Sequence, residues 1–276
     1  MLSKEIMKYA LISGAGSGLA QALISAIKDN FVIFALDINP SIIDLYNKEQ
    51  NIHCFSCDVT DIVEIQTVKE KILKMTTALD LLINFASVVE LGSVVEVKPQ
   101  AFEKSISVNV LGMYQINHAF FPLIKQGKGR IIMMSSEYGR LLGLPFHSFY
   151  TISKHAMEIY SDSLRREVRP FGVKVIKIRP GSFKTEMVRK IQKQFEVLVD
   201  QTILYNKPLM KMQKMMINEI KRAQNPNRII KVFRYAIYKK HPRLAYNIHN
   251  SLKMKLLNIL PHRLQDWILG KFFGNK

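Results

Sequence analysis

Short apolar segments alternate with longer segments of helical periodicity along the first two thirds of the chain. Six apolar segments have the length and composition of buried strands: residues 7–13, 31–36, 52–57, 79–85, 129–135 and 173–178. Strands that alternate with helices of ten or more residues form parallel sheets with right-handed crossovers. The alternation therefore predicts an α/β fold, a doubly wound parallel sheet of about seven strands with helices on both faces.

The first strand runs directly into a glycine-rich turn. Residues 14–20 read Gly-Ala-Gly-Ser-Gly-Leu-Ala, a helical segment follows at 21–28, and the second strand leads into Asp37. Glycines let the backbone approach a pyrophosphate, and the start of the helix supplies N–H groups and a positive dipole end. This order is typical of a Rossmann-type dinucleotide site. The predicted contacts in the turn are Gly14, Gly16, Ser17, Gly18 and Leu19.

Asp37 indicates which dinucleotide fits. It follows Gly18 at a spacing where a carboxylate can accept hydrogen bonds from the hydroxyls of the adenosine ribose. The same carboxylate would repel a 2′-phosphate, and the turn contains no Lys or Arg to offset that repulsion. The sequence therefore favours NAD over NADP.

Tyr150 and Lys154 lie four residues apart in a helical segment, so the phenol and the ammonium can reach one small volume. An ammonium near a phenol favours the phenolate and lowers the pKa of the tyrosine, which makes it a usable acid or base. Such a spacing also occurs on solvated helix faces. Its position counts for more, because ligands of parallel sheets bind at the carboxyl ends of strands. The strand ends carry Asp37, Asp58, Asn84, Ser136 and Gly181.

These motifs together resemble the classical short-chain dehydrogenase/reductase family over about residues 7–185, most closely its retinol and hydroxysteroid branch. The resemblance implies a catalytic set of Asn109, Ser136, Tyr150 and Lys154. It implies adenine contacts from Asp58 and Val59, and it places Asn84 and Ala86 in the motif after the fourth strand. Tyr150 and Lys154 would also contact the cofactor. The nicotinamide carboxamide would be held by the segment with Pro180, Gly181, Phe183 and Thr185.

The chain departs from the family pattern at a few positions. Phe85 and Ser87 replace Asn and Gly in the motif after the fourth strand, and Ala20 replaces the third glycine of the turn. Ser136 lies 14 residues before Tyr150, one more than is common, and the common spacing falls on Glu137. We choose Ser136, because a loop can absorb one residue. Ser135 would point to the opposite face of the strand end.

The implied activity is reversible hydride transfer between NAD and a secondary alcohol or ketone. Tyr150 would exchange the hydroxyl proton, Ser136 would orient the substrate oxygen, and Lys154 would lower the pKa of Tyr150 and bind the nicotinamide ribose. Asn109 would hold a water that links Lys154 to bulk solvent, or it is a buried polar residue bonded to backbone.

The substrate is less constrained than the chemistry. Apolar residues near the predicted site suit a lipophilic alcohol such as a steroid or retinoid, or they are loop packing: Leu141, Leu142, Leu144, Pro145, Phe146 and Met187. His147 is interpreted as a surface loop residue. Two other functions stay open, a catalytically silent cofactor-binding regulator and a basic protein that binds nucleic acid or a membrane surface.

The chain is expected to form a single domain over residues 1–276, with two additions. Residues 186–224 form a methionine-rich helical insertion that either lines a substrate pocket or packs ordinarily. Residues 251–276 form a basic amphipathic extension, broken at Pro261, that packs on the domain, forms an oligomer contact or rests on a membrane surface.

The distribution of charge limits the classes of partner that the sequence predicts. Of the net charge of +18, residues 186–276 carry 19 Lys and Arg against 5 Asp and Glu, or +14. That segment lacks the aromatic interleaving of a nucleic-acid platform, so nucleic acid is disfavoured as a partner.

Cys54 and Cys57 are expected to be strand thiols in a reducing compartment, with no metal site. No apolar run is long enough to span a membrane, and Lys4, Glu5 and Lys8 interrupt any secretory signal. We expect a cytoplasmic homo-oligomer, a dimer or tetramer.

Overall fold

A computed structural model describes residues 7–274 of the chain. Lys4, Glu5 and the last two residues of the predicted 251–276 extension lie outside this range. The described residues form one sheet of seven strands: β1 Lys8–Ser13, β2 Phe31–Asp37, β3 Ile52–Ser56, β4 Leu81–Asn84, β5 Arg130–Met134, β6 Lys174–Pro180 and β7 Ala245–Ile248.

The strands are all parallel and lie in the order β3-β2-β1-β4-β5-β6-β7. The order reverses between β1 and β4, which is the switch point where such sheets bind ligands. The predicted fold class, a Rossmann-type doubly wound sheet, is confirmed. The sequence pattern located six of the strands but not β7, because its residues Ala-Tyr-Asn-Ile include the exposed Asn247 and form no continuous apolar run.

The helices of the described residues flank the sheet on both faces. They are α1 Gly18–Ile27, α2 Ile42–Leu45, α3 Ile62–Leu73, α4 Pro99–Ile106, α5 Met113–Gln126, α6 Ser148–Val168, α7 Glu186–Gln201, α8 Asn206–Arg222, α9 Asn227–Tyr238, α10 Leu252–Ile259 and α11 His262–Phe273. A π-helical turn at Ser107–Gly112 separates α4 from α5 and contains Asn109. None of these helices is long and apolar enough to cross a bilayer.

Alternation along the strands divides the core into two layers. On β1, Ala10 and Ile12 pack towards α1 and α9, whereas Leu11 packs towards α3, α5 and α6. The same alternation continues on β2, β4, β5 and β6 because successive strand side chains point to opposite faces. Both layers are largely apolar, as expected for a parallel sheet covered on both sides, and buried polar side chains such as Lys177 and Arg179 enter the layer beside α6.

A third apolar cluster lies outside the sheet and involves both predicted additions. Its buried members come from the segment after β4, the segment before α6, and the helices α7 and α8: Val89, Leu91, Phe146, Phe195, Leu209 and Met212. Tyr150 and Phe273 pack against its edge. Of the methionines in the predicted insertion, Met212 and Met216 join the cluster, while Met210 and Met215 are exposed.

Gly14 fixes the distance between the glycine-rich turn and the end of β4. Its φ is +70°, which is in the left-handed region. A Cβ at this position would also collide with the backbone of Phe85 and Ala86. Only glycine satisfies both conditions without strain. The backbone of the turn at Gly14 therefore lies in close contact with the backbone of Phe85 and Ala86.

We expect Gly14→Ala to lower the free energy of unfolding by about 1–3 kcal/mol, because the added methyl group imposes both backbone strain and a steric clash. Chemical denaturation measures the loss. Gly143→Ala is the matched control, since a Cβ there would meet no atom within 4 Å, and its stability should match the wild type. Equal stability of the two variants would contradict the clash.

Candidate active site

The sheet register brings the ends of its central strands to one edge. Ser13 pairs with Asn84, Asn84 pairs with Met133, and Met134 pairs with Ile178. The segments that leave these strands contain the glycine-rich turn, Ser136 and Gly181. Residues that are far apart in the chain therefore meet beside the switch point.

Asp37 is tied to the glycine-rich turn. One of its carboxylate oxygens accepts a hydrogen bond of 2.8 Å from the backbone N–H of Gly16, and the other accepts one of 3.0 Å from Asn39. Ser17 caps α1 by accepting from the N–H of Ala20. The acid and the turn are thus held together as one unit.

Asp58 and Val59 follow β3 at the same edge. The Asp58 carboxylate accepts hydrogen bonds from the N–H and the hydroxyl of Thr60, both at 2.8 Å. The backbone N–H of Asp58 donates to Glu64 at 2.7 Å. Val59 is buried. These contacts stiffen the segment where the sequence placed an adenine contact.

The two departures after β4 have local explanations. Phe85 packs against the ring of Phe233 on α9, with ring centroids 5.6 Å apart. Ser87 donates a hydrogen bond of 3.0 Å to Asn109. Asn84 is buried and donates to Asn117 on α5 at 2.9 Å. The substituted residues therefore stabilise the segment, and the backbone N–H of Ala86 is bound to Ser13 at 3.1 Å.

Asn109 lies fully buried in the π-helical turn. Its Oδ1 accepts from Ser87 and from the N–H of Val88 at 2.7 Å, and its Nδ2 donates to the Val88 carbonyl and to Ser153, both at 2.9 Å. The side-chain amide is thereby saturated. It joins the segment after β4 to α6.

Ser136 and Glu137 lie at the start of a short 3₁₀ turn after β5, with Ser136 as its cap and Glu137 as its first residue. Ser136 is buried and caps this turn, with its Oγ accepting from Tyr138 N–H at 3.3 Å. Glu137 instead points to the C-terminal segment, where it accepts from Ser251 N–H at 2.7 Å. The turn over Glu137–Arg140 accommodates the additional residue before Tyr150, and Ser136 is the one placed to interact with Tyr150.

Tyr150 and Lys154 are brought together, but their pKa values differ from the sequence-based expectation. Burial raises the pKa of Tyr150 to about 12, against a lowering by the hydrogen-bonding interaction with Ser136. Burial lowers the pKa of Lys154 to about 7, against a raising effect of Glu158. Lys154 Nζ lies 5.4 Å from the Tyr150 ring centroid and donates to the Met134 carbonyl at 3.1 Å. In this environment burial outweighs the expected effect of the ammonium on the phenol.

A buried charge network, absent from the sequence-based site, lies behind Lys154. Glu158, one helical turn after Lys154, accepts hydrogen bonds from Ser135 at 2.6 Å and from Arg179 at 2.8 and 2.7 Å. Lys177 Nζ lies 3.1 Å from the same carboxylate and 2.7 Å from Asp162. Burial by itself raises the pKa of Glu158, but the hydrogen bonds from Arg179, Ser135 and Lys177 hold it below its usual range. The signal in the sequence was the pair of basic residues at alternate positions of a buried strand.

His147 corrects a sequence-based interpretation. It was expected on a surface loop, yet it is buried, stacks on Tyr138 with ring centroids 5.3 Å apart, and packs near Phe195. Its burial lowers the pKa of the imidazole to about 4. The neutral ring is therefore part of the wall beside Tyr150, because α7 covers the loop that contains it.

The segment after β6 closes the opposite side of the site. The N–H of Gly181 donates to Ile248 on β7 at 2.8 Å, and the approach of His249 leaves no room for a Cβ there. Phe183 is buried and packs edge-on against His249. A Cβ added at Gly18 would lie 3.5 Å from Thr185 Cγ2, so the two residues are neighbours. The predicted carboxamide segment thus faces the glycine-rich turn, with its Phe183 side chain directed into the core.

A dinucleotide-type α/β sheet with Ser136, Tyr150 and Lys154 at its switch-point edge defines a class of oxidoreductases. The model of the short chain dehydrogenase family matches residues 8–196. The chain belongs to the short-chain dehydrogenase/reductase family.

Similar proteins from animals and a bacterium cover much of the chain. It is 32% identical to a 3beta-hydroxysteroid dehydrogenase of Caenorhabditis elegans, over 96% of this chain and 75% of that protein. It is 29% identical to the uncharacterized oxidoreductase YusZ of Bacillus subtilis, over 96% and 98%. It is 35% identical to a mouse 17-beta-hydroxysteroid dehydrogenase type 6, over 65% of this chain and 58% of that protein.

Solved structures share the fold. A short chain dehydrogenase/reductase from Burkholderia phymatum in complex with NAD has a TM-score of 0.76 at 20% identity, covering 95% of both chains. One from Burkholderia cenocepacia in complex with NADP has a TM-score of 0.68 at 18% identity, covering 95% of this chain and 97% of that one. Both cofactors thus occur on this fold.

We expect Glu158→Ala to lower the free energy of unfolding by about 3–5 kcal/mol, because it leaves the buried Arg179 without a carboxylate partner and Lys177 with Asp162 alone. The wild-type contribution should be present above about pH 4.3 and be lost as the pH falls through the lower pKa of the folded state. Denaturation at several pH values measures both effects.

Glu186→Ala is the matched control for Glu158→Ala. Glu186 pairs with Lys190 at 3.5 Å on the surface of α7, with both side chains largely exposed. Such a pair contributes about 0–1 kcal/mol. A similar loss in both variants would contradict the buried network as a source of stability.

Proposed function

We propose that this protein catalyses reversible hydride transfer between NAD and a lipophilic secondary alcohol or ketone. The observation that carries the proposal is the proximity of three side chains: Ser136 interacts with Tyr150, and Lys154 Nζ lies 5.4 Å from the Tyr150 ring centroid. The fold alone would not support a reaction, since unrelated functions share it. The site supplies a proton donor and acceptor next to a surface suited to a dinucleotide.

The residues present fit a dinucleotide. Gly14 brings the turn close to the segment after β4, and the start of α1 directs N–H groups at the edge of the sheet. Asp37 stands at the end of β2 to accept from ribose hydroxyls, and Thr185 faces Gly18 across the site. We assign the pyrophosphate to the turn, the adenosine to Asp37, Asp58 and Val59, and the nicotinamide to the segment from Pro180 to Thr185.

NAD is proposed over NADP on charge. The Asp37 carboxylate is held by Gly16 N–H, which keeps it at the ribose position. The residues that follow it, Ile38, Asn39 and Pro40, include no cation that could pair with a 2′-phosphate. The 2′-phosphate of NADP would lie beside the Asp37 carboxylate, and these residues supply no cation to offset the repulsion.

Tyr150 is the proposed proton-transfer residue, and Ser136 orients the substrate oxygen beside it. The bound cofactor would supply or accept the hydride. With a pKa raised to about 12, Tyr150 is protonated at neutral pH and is ready to act as the acid in ketone reduction. Alcohol oxidation needs its phenolate, whose fraction rises with pH.

Asn109 has a positioning role in this proposal. Its amide holds Val88 and Ser153, and the Ser153 hydroxyl donates to the Tyr150 carbonyl at 2.8 Å. A water that links Lys154 to solvent would therefore have to use the backbone of Asn109. The π-helical turn favours this, because a local break in the α-helical hydrogen-bond pattern is a common feature of functional sites.

The apolar cluster next to Tyr150 supports a lipophilic substrate. Phe146, Phe195 and Met212 line the same side of the site, and Met187 and Met216 border it. Methionine side chains adapt to irregular ligands. Relatives named as hydroxysteroid dehydrogenases and as a mouse retinol dehydrogenase 7, which is 33% identical over 71% of this chain, act on compounds of this kind.

A homo-oligomer is proposed through the helices that carry Asn109 and Tyr150. Their outer faces expose apolar side chains that the described residues do not cover: Leu111, Tyr114, Ile152 and Ile159. Such a surface is typical of a contact between copies.

We propose one catalytic domain, with residues 186–224 as its substrate-side insertion and residues 251–276 as an extension. The free thiols Cys54 and Cys57 suit a reducing compartment such as the cytoplasm.

We expect Tyr150→Phe to reduce turnover of a secondary hydroxysteroid by at least about a hundredfold, because the proton acceptor is removed. NAD binding, measured by calorimetry, should be nearly unchanged. In the wild type the rate of alcohol oxidation should rise between pH 7 and pH 10, as more phenolate forms. Tyr160→Phe, on the same helix, is the control, and retained turnover in Tyr150→Phe would refute the assignment.

We expect Asp37→Asn to shift the ratio of kcat/KM for NAD over NADP towards NADP by about tenfold, because the anion is lost while an acceptor for Gly16 N–H is kept. Steady-state kinetics with both cofactors measures the ratio. The exposed Asp44→Asn on α2 carries the same charge change and should leave the ratio as it is. A preference for NADP in the wild type would refute the proposed cofactor.

A further inference from the structure

The helix α10 leaves an apolar face uncovered by the described residues. Leu252, Leu256 and Ile259 are exposed, with Ile259 at 78%. Their spacing of four and three residues places all three on one face of the helix. No side chain of α10 is fully buried, so packing in the core does not explain why this face of the helix is apolar.

The helix α11 continues the pattern after the corner at Pro261. Leu264 and Trp267 are exposed, three residues apart on one face. The corner itself is rigid, because the buried Gln265 side chain donates to the Leu260 carbonyl at 2.7 Å. We call Leu252, Leu256, Ile259, Leu264 and Trp267 the C-terminal apolar surface.

The turn between α7 and α8 adds to this side of the molecule. Ile203 is 90% exposed and Leu204 is exposed beside it. Glu96 accepts hydrogen bonds from both backbone N–H groups, at 2.9 and 2.8 Å, so the turn is held in place. Tyr205 and Phe273 both pack against Phe146, which brings the turn next to the end of α11.

Cations surround the C-terminal apolar surface. The two helices carry Lys253, Lys255, Arg263 and Lys271 against one acid, Asp266. Lys271 Nζ lies 3.9 Å from the Trp267 ring centroid. Apolar side chains interleaved with cations are typical of helices that lie in the interface of an anionic bilayer.

We propose that the C-terminal apolar surface, with the turn at Ile203, binds the surface of an anionic membrane. Charge complementarity selects this occupant. A second copy would bring four like-charged side chains against four more, which opposes association. Nucleic acid would use the cations but would leave the leucines and isoleucines without a partner.

The position of this surface has a consequence for substrate supply. Phe273 of α11 and Tyr205 both contact the apolar cluster that reaches Tyr150. Membrane contact would therefore place the substrate side of the site at the lipid phase, where lipophilic alcohols accumulate. This consequence rests on the proposed function, whereas membrane binding itself does not.

Trp267 makes the test direct, because it is the only tryptophan in the chain. Full-length protein is mixed with phosphatidylcholine vesicles, with or without about one third phosphatidylserine. We expect a blue shift of tryptophan emission and co-sedimentation with the anionic vesicles only, both weakened by salt. No shift and no co-sedimentation, or equal binding to neutral vesicles, would overturn the proposal.

The double variant Leu256→Asp and Ile259→Asp should reduce the partition coefficient on anionic vesicles by about tenfold or more, because it removes apolar area and adds negative charge. The matched control places the same two charges at Ile62 and Val63, which are exposed on α3, and its binding should equal the wild type. Equal losses in both variants would overturn the assignment of the surface.

Self-association provides the last distinction. If the wild type dimerises through this surface, the double variant becomes smaller in analytical ultracentrifugation without vesicles. Such a change, together with absent vesicle binding, would identify a second copy as the occupant and overturn the proposal. Vesicle binding needs no substrate or cofactor, so a failed activity assay and a failed binding assay stay distinguishable.

Discussion

The buried Glu158 carboxylate holds together the three elements on which the site depends. It binds Ser135 at the end of β5, Arg179 near the end of β6, and it lies one helical turn after Lys154 on α6. Two carboxylate oxygens shared among these donors fix the distances between strand and helix within hydrogen-bond tolerance. Ser136 follows Ser135 in the chain, and Lys154 lies one helical turn before Glu158. The hydrogen bonds of Glu158 therefore also fix the positions of these two site residues.

Burial governs the ionisation of the proton-transfer residues. It pushes the pKa of Tyr150 up and the pKa of Lys154 down, since a charge is costly away from water. Glu158 counteracts the effect on Lys154, and Ser136 counteracts it on Tyr150. The same apolar cover that suits a lipophilic substrate therefore sets the acidity of the residues beneath it.

Local pattern was sufficient for the regular parts of the molecule. The apolar alternation and the glycine-rich turn predicted six strands, their parallel arrangement and the edge where Asp37, Asn84 and Ser136 meet. Pattern failed where long-range contact decides the outcome. The strand β7 has no continuous apolar run that would predict a buried strand. His147 was expected at the surface, because its burial depends on α7, a helix that begins about forty residues later in the chain. The network of Glu158 likewise joins residues whose proximity no spacing reveals.

By itself the sequence determined the fold class, the family and the identity of the candidate site residues, because hydrophobic period and glycine placement are local properties of the chain. Tertiary structure alone decided how these residues behave. It saturated the amide of Asn109, moved the pKa values of Tyr150 and Lys154 in directions opposite to an exposed pair, and placed Phe273 against the site. The physical reason is that desolvation and hydrogen-bond saturation depend on every neighbour in space, and most of those neighbours are distant in sequence.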